Sequence, residues 1–284
     1  MLVRLNHSTK KLAVIGDPVG HSLSPLIQNT MISALGLDYI YFAQQVSREN
    51  LPAFLEAAKL LGFSGFNATM PHKEDLIPLM DTLSEEAAFY GSVNTVCIKD
   101  GKCIGYNTDG RGLIRSLEDG GFDPKGKDVV LLGAGGAAKA VSLSFVRSGA
   151  RRVVVCNRNL ARAEALCRKN PDVLVSVGFD GESLKKAAAE CDLLVNCTSL
   201  GMTGTAAQFS DFDFLDDLPQ NAMVFDLIYS PRETVLLQKA RRKGHTVQNG
   251  LGMLIYQAVF ALEHFTETKI DAGKMGALLR DILK

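Results

Sequence analysis

The 284-residue sequence predicts an α/β protein with two domains. Runs rich in β-branched residues alternate with amphipathic helical stretches along the whole chain, which is the pattern of parallel sheets with helical crossovers. A glycine-rich turn between an apolar run and a helical stretch lies near the middle of the chain. At roughly 150 residues per domain, the length also favours two domains.

The predicted strands are short runs of apolar and β-branched residues. They span residues 11–16, 39–45, 64–69, 128–133, 152–157, 173–179, 192–197, 223–228 and 245–248. Between them, segments such as SPLIQNTMISALG, LPAFLEAAKLLG and AEALCRKN space their apolar residues three and four apart, as helices do. One segment breaks the alternation, because 93–107 carries Asp-Gly between two strand-like runs and so predicts a β-hairpin. A helix at about 110–120 follows the hairpin.

The turn-rich segment DGGFDPKGKD (119–128) predicts the boundary between the domains. We expect a first domain of residues 1–118 and 250–284, in which two C-terminal helices pack back on the N-terminal part. The second domain then spans residues 119–249.

Composition excludes several classes of protein. Basic and acidic residues both number 31, so the net charge does not favour nucleic acid or an anionic membrane as a partner. The six cysteines contain no C-x-x-C pair and no histidine at ligand spacing, so we expect buried reduced thiols and no metal. The N-terminus lacks an apolar signal region, and no stretch approaches the roughly 18 apolar residues of a membrane span, which predicts a cytoplasmic protein.

The segment VVLLGAGGAAKA (129–140) is typical of a dinucleotide-binding turn. Its G-x-G-x-x-G/A pattern follows a strand and opens a helix, so its backbone can approach a pyrophosphate closely. The pattern residues are Gly133, Ala134, Gly135, Gly136 and Ala137, with Ala138 in the third glycine position. The alternative is an ordinary turn between a strand and a helix.

The end of the next strand favours NADP over NAD. An enzyme that binds NAD usually has an acidic residue there for the ribose 2′-hydroxyl, whereas this strand ends in Asn157, Arg158 and Asn159, with Arg162 following. Two guanidinium groups in one helical turn suit a 2′-phosphate, because each donates charge-assisted hydrogen bonds. The alternative is a solvated basic face.

Three polar loops of the first domain, GHSLSP, NATMPHK and GYNTDG, each follow a strand-like run. Ligands of open α/β sheets bind outside the carboxyl ends of the strands, so these loops predict a site for a small hydroxylated acid. The side chains that would bind it are Ser22, Ser24, Lys73, Asn94, Asn107 and Asp109. If the first loop is extended, Ser22 and Ser24 face the same side, and Pro25 then begins the next helix.

Lys73 and Asp109 are the candidate pair for proton transfer. Reduction of a carbonyl requires a proton donor for the developing alkoxide, and Lys73 is the only lysine in these loops, with Asp109 to orient it. The alternatives are a surface lysine at a helix start and an aspartate that caps a helix. His21 and His72 lack a visible acidic partner, and we interpret both as loop-packing residues.

The assembled motifs resemble the shikimate dehydrogenase family over nearly the whole chain. GDPVGHSLSP is similar to the family's G-x-P-(I/V)-x-H-S-x-S-P segment, and NATMPHK to its N-V-T-x-P-x-K segment. GSVNT, GYNTDG, GAGGAAKA, NRNLAR, YSPRETVLL and NGLGMLIYQ follow in the family's order and spacing. The resemblance implies a substrate domain, a Rossmann-type NADP-binding domain and the reversible reduction of 3-dehydroshikimate to shikimate in aromatic amino acid biosynthesis.

The resemblance also implies a role for each motif residue. It implies that Ser22 and Ser24 bind the substrate carboxylate, that Lys73 and Asp109 are catalytic, and that the substrate hydroxyls are bound by Thr69, Asn94, Asp109, Tyr229 and Gln257. To the cofactor it assigns Gly133 to Ala137, Asn157 to Arg162, Leu227 and Gly250. Asn159 replaces a common threonine, and its amide can still bind a phosphate.

The sequence is also compatible with two other functions. One is a quinate/shikimate dehydrogenase that accepts NAD and quinate, and the other is a binding or regulatory protein that has lost catalysis. The retained Lys73 and Asp109 argue against the second. The sequence leaves both a monomer and a homodimer possible.

Overall fold

The computed structural model describes residues 5–283 and confirms the α/β class. Its contacts divide the chain into two units. The first contains the residues through Gly112 together with those from Ile255 onward, and the second spans Leu113–Leu254. The first division falls inside a helix, ahead of the turn-rich segment where the sequence predicts a boundary.

The first unit contains a mixed sheet with the strand order β2-β1-β3-β5-β6-β4. Its strands are β1 (Lys10–Gly16), β2 (Tyr39–Gln45), β3 (Phe63–Ala68), β4 (Thr82–Leu83), β5 (Thr95–Lys99) and β6 (Lys102–Tyr106). β1 is parallel to β2 and β3, whereas β5 is antiparallel to β3 and β6. The three strands predicted before residue 70 are confirmed to within one residue. The two-residue β4 was not predicted, because it is too short to show any periodicity.

The predicted hairpin is formed by β5 and β6. Asp100 and Gly101 connect the strands with φ angles of 49° and 73°, the left-handed values that favour Asp-Gly in a two-residue turn. The helices that alternate with these strands and follow the hairpin are α1 (Ser24–Ala34), α2 (Leu51–Leu60), α3 (Glu85–Tyr90) and α4 (Asp109–Asp119). Pro25 lies in the first turn of α1, where its missing N–H leaves no hydrogen bond unmade, and the helix begins one residue before it, at Ser24. The helix predicted at 110–120 is α4, and the unit division falls within it.

The second unit is an all-parallel sheet with the order β12-β11-β10-β7-β8-β9. Its strands are β7 (Asp128–Leu132), β8 (Arg152–Asn157), β9 (Leu174–Gly178), β10 (Leu193–Asn196), β11 (Met223–Asp226) and β12 (Thr246–Asn249). Its helices are α5 (Gly136–Arg147), α6 (Leu160–Cys167), α7 (Gly181–Ala188) and α8 (Val235–Arg242). Counted within the unit, the order is 3-2-1-4-5-6, which is the Rossmann arrangement. All six strands predicted here are confirmed to within two residues.

The tail forms α9 (Leu251–Thr266) and α10 (Ala272–Ile282). The expectation that the tail packs on the N-terminal part is confirmed by two hydrogen bonds. The buried Gln28 amide donates to the carbonyl of Ala258 at 3.0 Å, and the Tyr39 hydroxyl donates to that of Phe265 at 3.4 Å.

Each unit has its own apolar core. In the first unit, Ile15, Phe66 and Val96 come from three neighbouring strands and are fully buried. In the second, Val130 and Val224 lie among the buried residues of the parallel sheet and its helices. Each sheet therefore holds the strand ends, and the loops that follow them, in fixed places.

The close approach of α9 to β3 depends on Gly65. A Cβ at this position would lie 2.7 Å from Cε1 of Phe265 and closer still to the backbone oxygen of Val96. We expect Gly65→Ala to lower the free energy of unfolding by about 1–3 kcal/mol, the usual effect of overpacking. Chemical denaturation measures this, with Gly20→Ala as the control because a Cβ there meets no atom within 4 Å. Equal midpoints for the two variants would contradict the prediction.

The cysteines are structural, as expected. Cys97, Cys103, Cys156, Cys167, Cys191 and Cys197 are all free and buried. Burial raises the pKa of Cys156 and Cys191 to about 12, so both thiols stay protonated near neutral pH. Within residues 5–283, no helix combines the length and apolarity needed to cross a membrane, and no group of three or more His, Cys, Asp or Glu residues could hold a metal ion.

Candidate active site

An ion pair joins two of the loops in the first unit. Lys73 lies in the turn that follows β3, and Asp109 is the first residue of α4. The Nζ of Lys73 donates to Oδ2 of Asp109 at 2.7 Å. The Lys73 side chain is 35% exposed and that of Asp109 only 12%, so the lysine is the more exposed partner of the pair. Lys73 does not begin a helix, so the alternative interpretation of it as a surface lysine at a helix start is wrong.

Two buried asparagines fix this ion pair. Asn94 Nδ2 donates to Oδ1 of Asp109 at 2.9 Å, and Asn94 Oδ1 accepts the N–H of Thr108 at 2.9 Å. Asn107 Oδ1 accepts the N–H of Asp109 at 3.0 Å, while Asn107 Nδ2 donates to the Ser92 carbonyl. Both carboxylate oxygens of Asp109 therefore have donors from the protein. Asn107 holds the loop, and its buried amide is fully occupied in doing so.

Gln257 and Thr69 lie close to this cluster. The Thr108 hydroxyl donates to the backbone oxygen of Gln257 at 3.0 Å, which brings α9 to the start of α4. Thr69 follows β3, and its N–H donates to the carbonyl of Ile15. A Cβ at Gly16 would overlap the Thr69 side chain, so the glycine allows the loops after β1 and β3 to touch. Thr69, Lys73, Asn94, Asp109 and Gln257 thus come from segments that are in contact.

The loop after β1 has a different conformation from the one expected. The extended conformation considered for it is not adopted around Ser22 to Ser24, because Leu23 has helical angles and the N–H of Ser24 donates to Oγ of Ser22 at 3.2 Å. Ser22 precedes α1 and Ser24 is its first residue, and both are half-buried. The two hydroxyls therefore belong to the start of a helix.

The two histidines differ. His72 is buried, and its Nε2 lies 2.8 Å from the carbonyl of Val46, so the interpretation of it as a packing residue is confirmed. His21 is exposed, so the same interpretation is wrong for it. Tyr229 belongs to the second unit, where it follows β11 and is half-buried.

The glycine turn after β7 leaves room for a ligand. Gly133 has a φ of 105°, and a Cβ there would lie 2.8 Å from Cγ2 of Thr198, so this glycine is required by the fold. At Gly135 and Gly136 an added Cβ would meet no atom within 4 Å. Gly135 is also the N-cap of α5 and offers no side-chain cap. This cradle of open space and helix N–H groups fits the pyrophosphate of a dinucleotide.

The loop after β8 is tied to the glycine turn. Asn157 Oδ1 accepts the N–H of Ala134 at 3.2 Å, and Asn157 Nδ2 donates to the carbonyl of Asn159 at 2.8 Å. Asn159 Oδ1 caps α6 by accepting the N–H of Arg162. Arg158 and Arg162 are both exposed, and within the described part of the chain neither guanidinium has a hydrogen bond or an ion pair. Both are therefore available to an anion.

Leu227 and Gly250 meet at the same edge of the sheet. A Cβ at Gly250 would overlap the backbone oxygen of Leu227, and the N–H of Gly250 donates to the carbonyl of Ile228 at 3.2 Å. The glycine therefore allows two loop backbones to lie against each other. The residues predicted to bind the cofactor thus all lie at or after the carboxyl ends of β7, β8, β11 and β12.

A buried polar cluster in the second unit was not predicted. Asp226 is fully buried and accepts from Asn196 Nδ2 at 3.0 Å and from Thr234 Oγ1 at 2.6 Å. Burial raises the pKa of the Asp226 carboxyl, while these hydrogen bonds oppose the shift. Asn196 Oδ1 in turn accepts from Oγ1 of Thr198, the neighbour of Gly133. The only signal in the sequence was a polar residue at the end of each apolar strand.

Family models match most of the chain. Residues 14–96 match the model described as "Shikimate dehydrogenase substrate binding domain", and residues 117–234 match "Shikimate / quinate 5-dehydrogenase". Residues 250–280 match "Shikimate 5'-dehydrogenase C-terminal domain".

Similar proteins include a shikimate dehydrogenase (NADP(+)) of Alkaliphilus metalliredigens, which is 42% identical over 94% of each chain. The crystal structure of shikimate 5-dehydrogenase from Thermus thermophilus in complex with NADP(H) and shikimate is 36% identical, with a TM-score of 0.84 over 96% of this chain and 99% of that one. The structure of quinate dehydrogenase from Corynebacterium glutamicum in complex with NAD is 33% identical, with a TM-score of 0.86 over the same shares.

Proposed function

The chain belongs to the shikimate dehydrogenase family, and from that premise we propose that it catalyses the reversible reduction of 3-dehydroshikimate to shikimate by NADPH. The observation that carries the proposal is the ion pair between Lys73 and Asp109 at 2.7 Å, in a unit whose polar loops follow its strand ends. In this family the reaction belongs to the biosynthesis of chorismate and the aromatic amino acids.

In the proposed mechanism, Lys73 is the proton donor. NADPH, when bound, supplies a hydride to the carbonyl carbon of the substrate. The Nζ of Lys73 gives a proton to the developing alkoxide, so a carbonyl becomes a CH–OH group, and in the reverse direction neutral Lys73 takes that proton back. Asp109 orients Lys73, and Asn94 holds Asp109 by its second oxygen.

Several residues, including two of those just named, bind the substrate. Ser22 and Ser24, at the start of α1, bind the carboxylate, where the helix N-terminus also favours an anion. Thr69, Asn94, Asp109, Tyr229 and Gln257 bind the hydroxyl groups.

The second unit binds NADP. Gly133, Ala134, Gly135, Gly136 and Ala137 hold the pyrophosphate. Asn157, Arg158, Asn159 and Arg162 bind the adenosine 2′-phosphate, and Leu227 and Gly250 complete the site. The support comes from the open cradle at Gly135 and from the two exposed guanidinium groups, which have no ion pair within residues 5–283.

Steady-state kinetics with four substrate pairs tests the function. Shikimate and quinate are each oxidised with NADP and with NAD, and we expect the highest kcat/KM for shikimate with NADP. Similarity to the Corynebacterium quinate dehydrogenase makes quinate with NAD the second candidate. A higher kcat/KM for that pair would replace the proposal with the alternative. Binding of shikimate without turnover would indicate the non-catalytic protein instead.

The cradle at Gly135 gives a separate prediction. We expect Gly135→Ala to lower the free energy of unfolding by no more than about 1 kcal/mol, the effect of alanine at an N-cap, because the added Cβ meets no atom. We expect the same change to weaken NADPH binding by on the order of tenfold, because the backbone can no longer approach the pyrophosphate. Fluorescence titration with NADPH and thermal denaturation measure the two effects. Gly181→Ala is the matched control, since Gly181 is also a glycine in an open position at the N-terminal end of a helix in this unit. Equal NADPH affinity in both variants would refute the prediction.

We also propose a cytoplasmic protein that is a monomer or a homodimer, with no nucleic-acid partner. The unpaired state of all six cysteines supports a reducing compartment. The equal numbers of acidic and basic residues support the absence of a nucleic-acid partner.

A further inference from the structure

A chain of side-chain hydrogen bonds crosses the first sheet and ends at Asp109. The Tyr41 hydroxyl donates to Oδ1 of Asn67 at 2.8 Å, and Nδ2 of Asn67 donates to Oγ1 of Thr95 at 2.9 Å. The Thr95 hydroxyl donates to Oδ1 of Asn94 at 2.8 Å, and Nδ2 of Asn94 donates to Asp109 at 2.9 Å. Five side chains from four separate parts of the sequence thus form one continuous path.

The strand register produces this path. Asn67 on β3 lies directly opposite Thr95 on the antiparallel β5. On β1, Leu12 is the partner of Tyr41 and Val14 is the partner of Asn67, so Tyr41 and Asn67 lie on the same face of the sheet. The Tyr41 side chain therefore reaches across β1 to meet Asn67.

Every donor in the chain points toward Asp109. An ionised carboxylate only accepts, and the N–H of Thr108 only donates, so Asn94 must turn its nitrogen to Asp109 and its oxygen to Thr108 and Thr95. Thr95 then donates to Asn94 and accepts from Asn67. Hydrogen bonds aligned in one direction polarise one another, which strengthens the last bond to the carboxylate.

The side chains of this hydrogen-bonded path lie in the buried interior of the first unit, where apolar side chains are usual. Tyr41 is 2% exposed, Asn67 8% and Thr95 0%. Burial raises the pKa of the Tyr41 phenol well above its usual value, so the hydroxyl remains a donor. Polar groups in such places are costly unless each finds a partner, and here each does.

The other end of the chain is tied to the start of α1. Asn29 donates to the carbonyl of Tyr41 at 2.7 Å and to that of Pro25 at 2.8 Å, and it accepts the N–H of Tyr41 at 3.0 Å. Pro25 follows Ser24, one of the two serines proposed to bind the substrate carboxylate. The same network therefore reaches Asp109 at one end and, at the other, the residue that follows Ser24.

We propose that Tyr41, Asn67 and Thr95 are positioning residues that hold Asn94, and through it the Asp109 carboxylate and the Lys73 ammonium, in the geometry needed for proton transfer. The inference rests on the proposed function, because it assigns these residues a part in that reaction. A small displacement of an acid-base group lowers the rate steeply, by up to about a hundredfold per ångström. Loss of one hydrogen bond of this path displaces Asp109 by less than that, so we expect a smaller decrease in the rate.

Thr95 offers the decisive pair of variants. Thr95→Val keeps the shape but removes the hydroxyl, whereas Thr95→Ser keeps the hydroxyl and removes a buried methyl. We expect Thr95→Val to lower kcat by on the order of tenfold with an unchanged KM for NADPH, and Thr95→Ser to stay within about threefold of the wild type. A purely structural role predicts that both variants lose stability and that neither lowers kcat selectively. Equal kcat values for the two variants would overturn the proposal.

Tyr41→Phe tests the far end of the chain without relying on turnover. In ¹⁵N-labelled protein, we expect this change to move the side-chain amide resonances of Asn94, since the two residues are joined through Asn67 and Thr95. Tyr256→Phe is the control, because it also removes a buried hydroxyl in the same unit, one that accepts from Arg280. Asn94 resonances that stay in place in Tyr41→Phe would show that the chain is not continuous and would overturn the inference.

The two readouts separate this inference from the proposed function. If the wild type does not oxidise shikimate with NADP, the function is refuted, and with it the part of the inference that concerns proton transfer. If the wild type is active while the Thr95 variants do not differ, only the inference fails.

Discussion

Replacing Lys73 with alanine will lower kcat for shikimate oxidation by on the order of a hundredfold or more, the usual scale for loss of a positioned acid-base group. Lys73 is the cation that contacts Asp109 in these loops, and alanine leaves no group to move the proton. NADPH affinity will not change, because the glycine turn and the arginines proposed to bind it belong to the other unit. Stopped-flow and steady-state kinetics with NADP and shikimate measure the effect.

Lys102→Ala is the matched control for this experiment. Lys102 is an exposed lysine on β6 of the same unit, and it lies outside the proposed site. Shikimate binding, measured by calorimetry, will persist in Lys73→Ala because the serines and the other hydroxyl-binding residues remain. Turnover at the wild-type rate in Lys73→Ala would remove Lys73 from the mechanism.

The parts of the fold that repeat along the chain could be predicted from the sequence. Strands β7, β8 and β10 are buried runs rich in Val and Leu between helical stretches, and this composition alone indicates a parallel sheet. Asp100 and Gly101 specify their turn by local conformational preference. The carboxyl ends of the strands, and so the general place of each site, follow from that alternation.

The details that depend on distant partners could not be predicted. The loop with Ser22 and Ser24 turns into α1, and no periodicity distinguishes that from an extended loop. Tyr41 and Asn67 are 26 residues apart and meet only because the register of three strands brings them to one face. A buried tyrosine or asparagine in a strand gives no sign, by itself, of the partner that satisfies it.

Removing the guanidinium of Arg158 will weaken the binding of NADPH far more than the binding of NADH. Arg158 follows β8, is exposed, and has no ion pair within residues 5–283, so its charge is available to the 2′-phosphate that only NADPH carries. A charge-assisted hydrogen bond contributes about 1.5–3 kcal/mol, so we expect Arg158→Ala to raise the Kd of NADPH by on the order of thirtyfold. The Kd of NADH should stay within about twofold. Fluorescence titration with both cofactors gives the comparison.

Two further variants decide whether charge alone explains the preference. Arg168→Ala removes an exposed arginine just beyond the C-terminal end of α6, so a general loss of positive charge would weaken NADPH in that variant as well. Arg158→Lys keeps the charge but loses the planar pair of donors that fits a phosphate, and we expect an intermediate affinity. If Arg158→Ala weakens NADH as much as NADPH, then Arg158 does not read the 2′-phosphate. The discrimination between the cofactors would in that case depend on Arg162 and the two asparagines of the same loop.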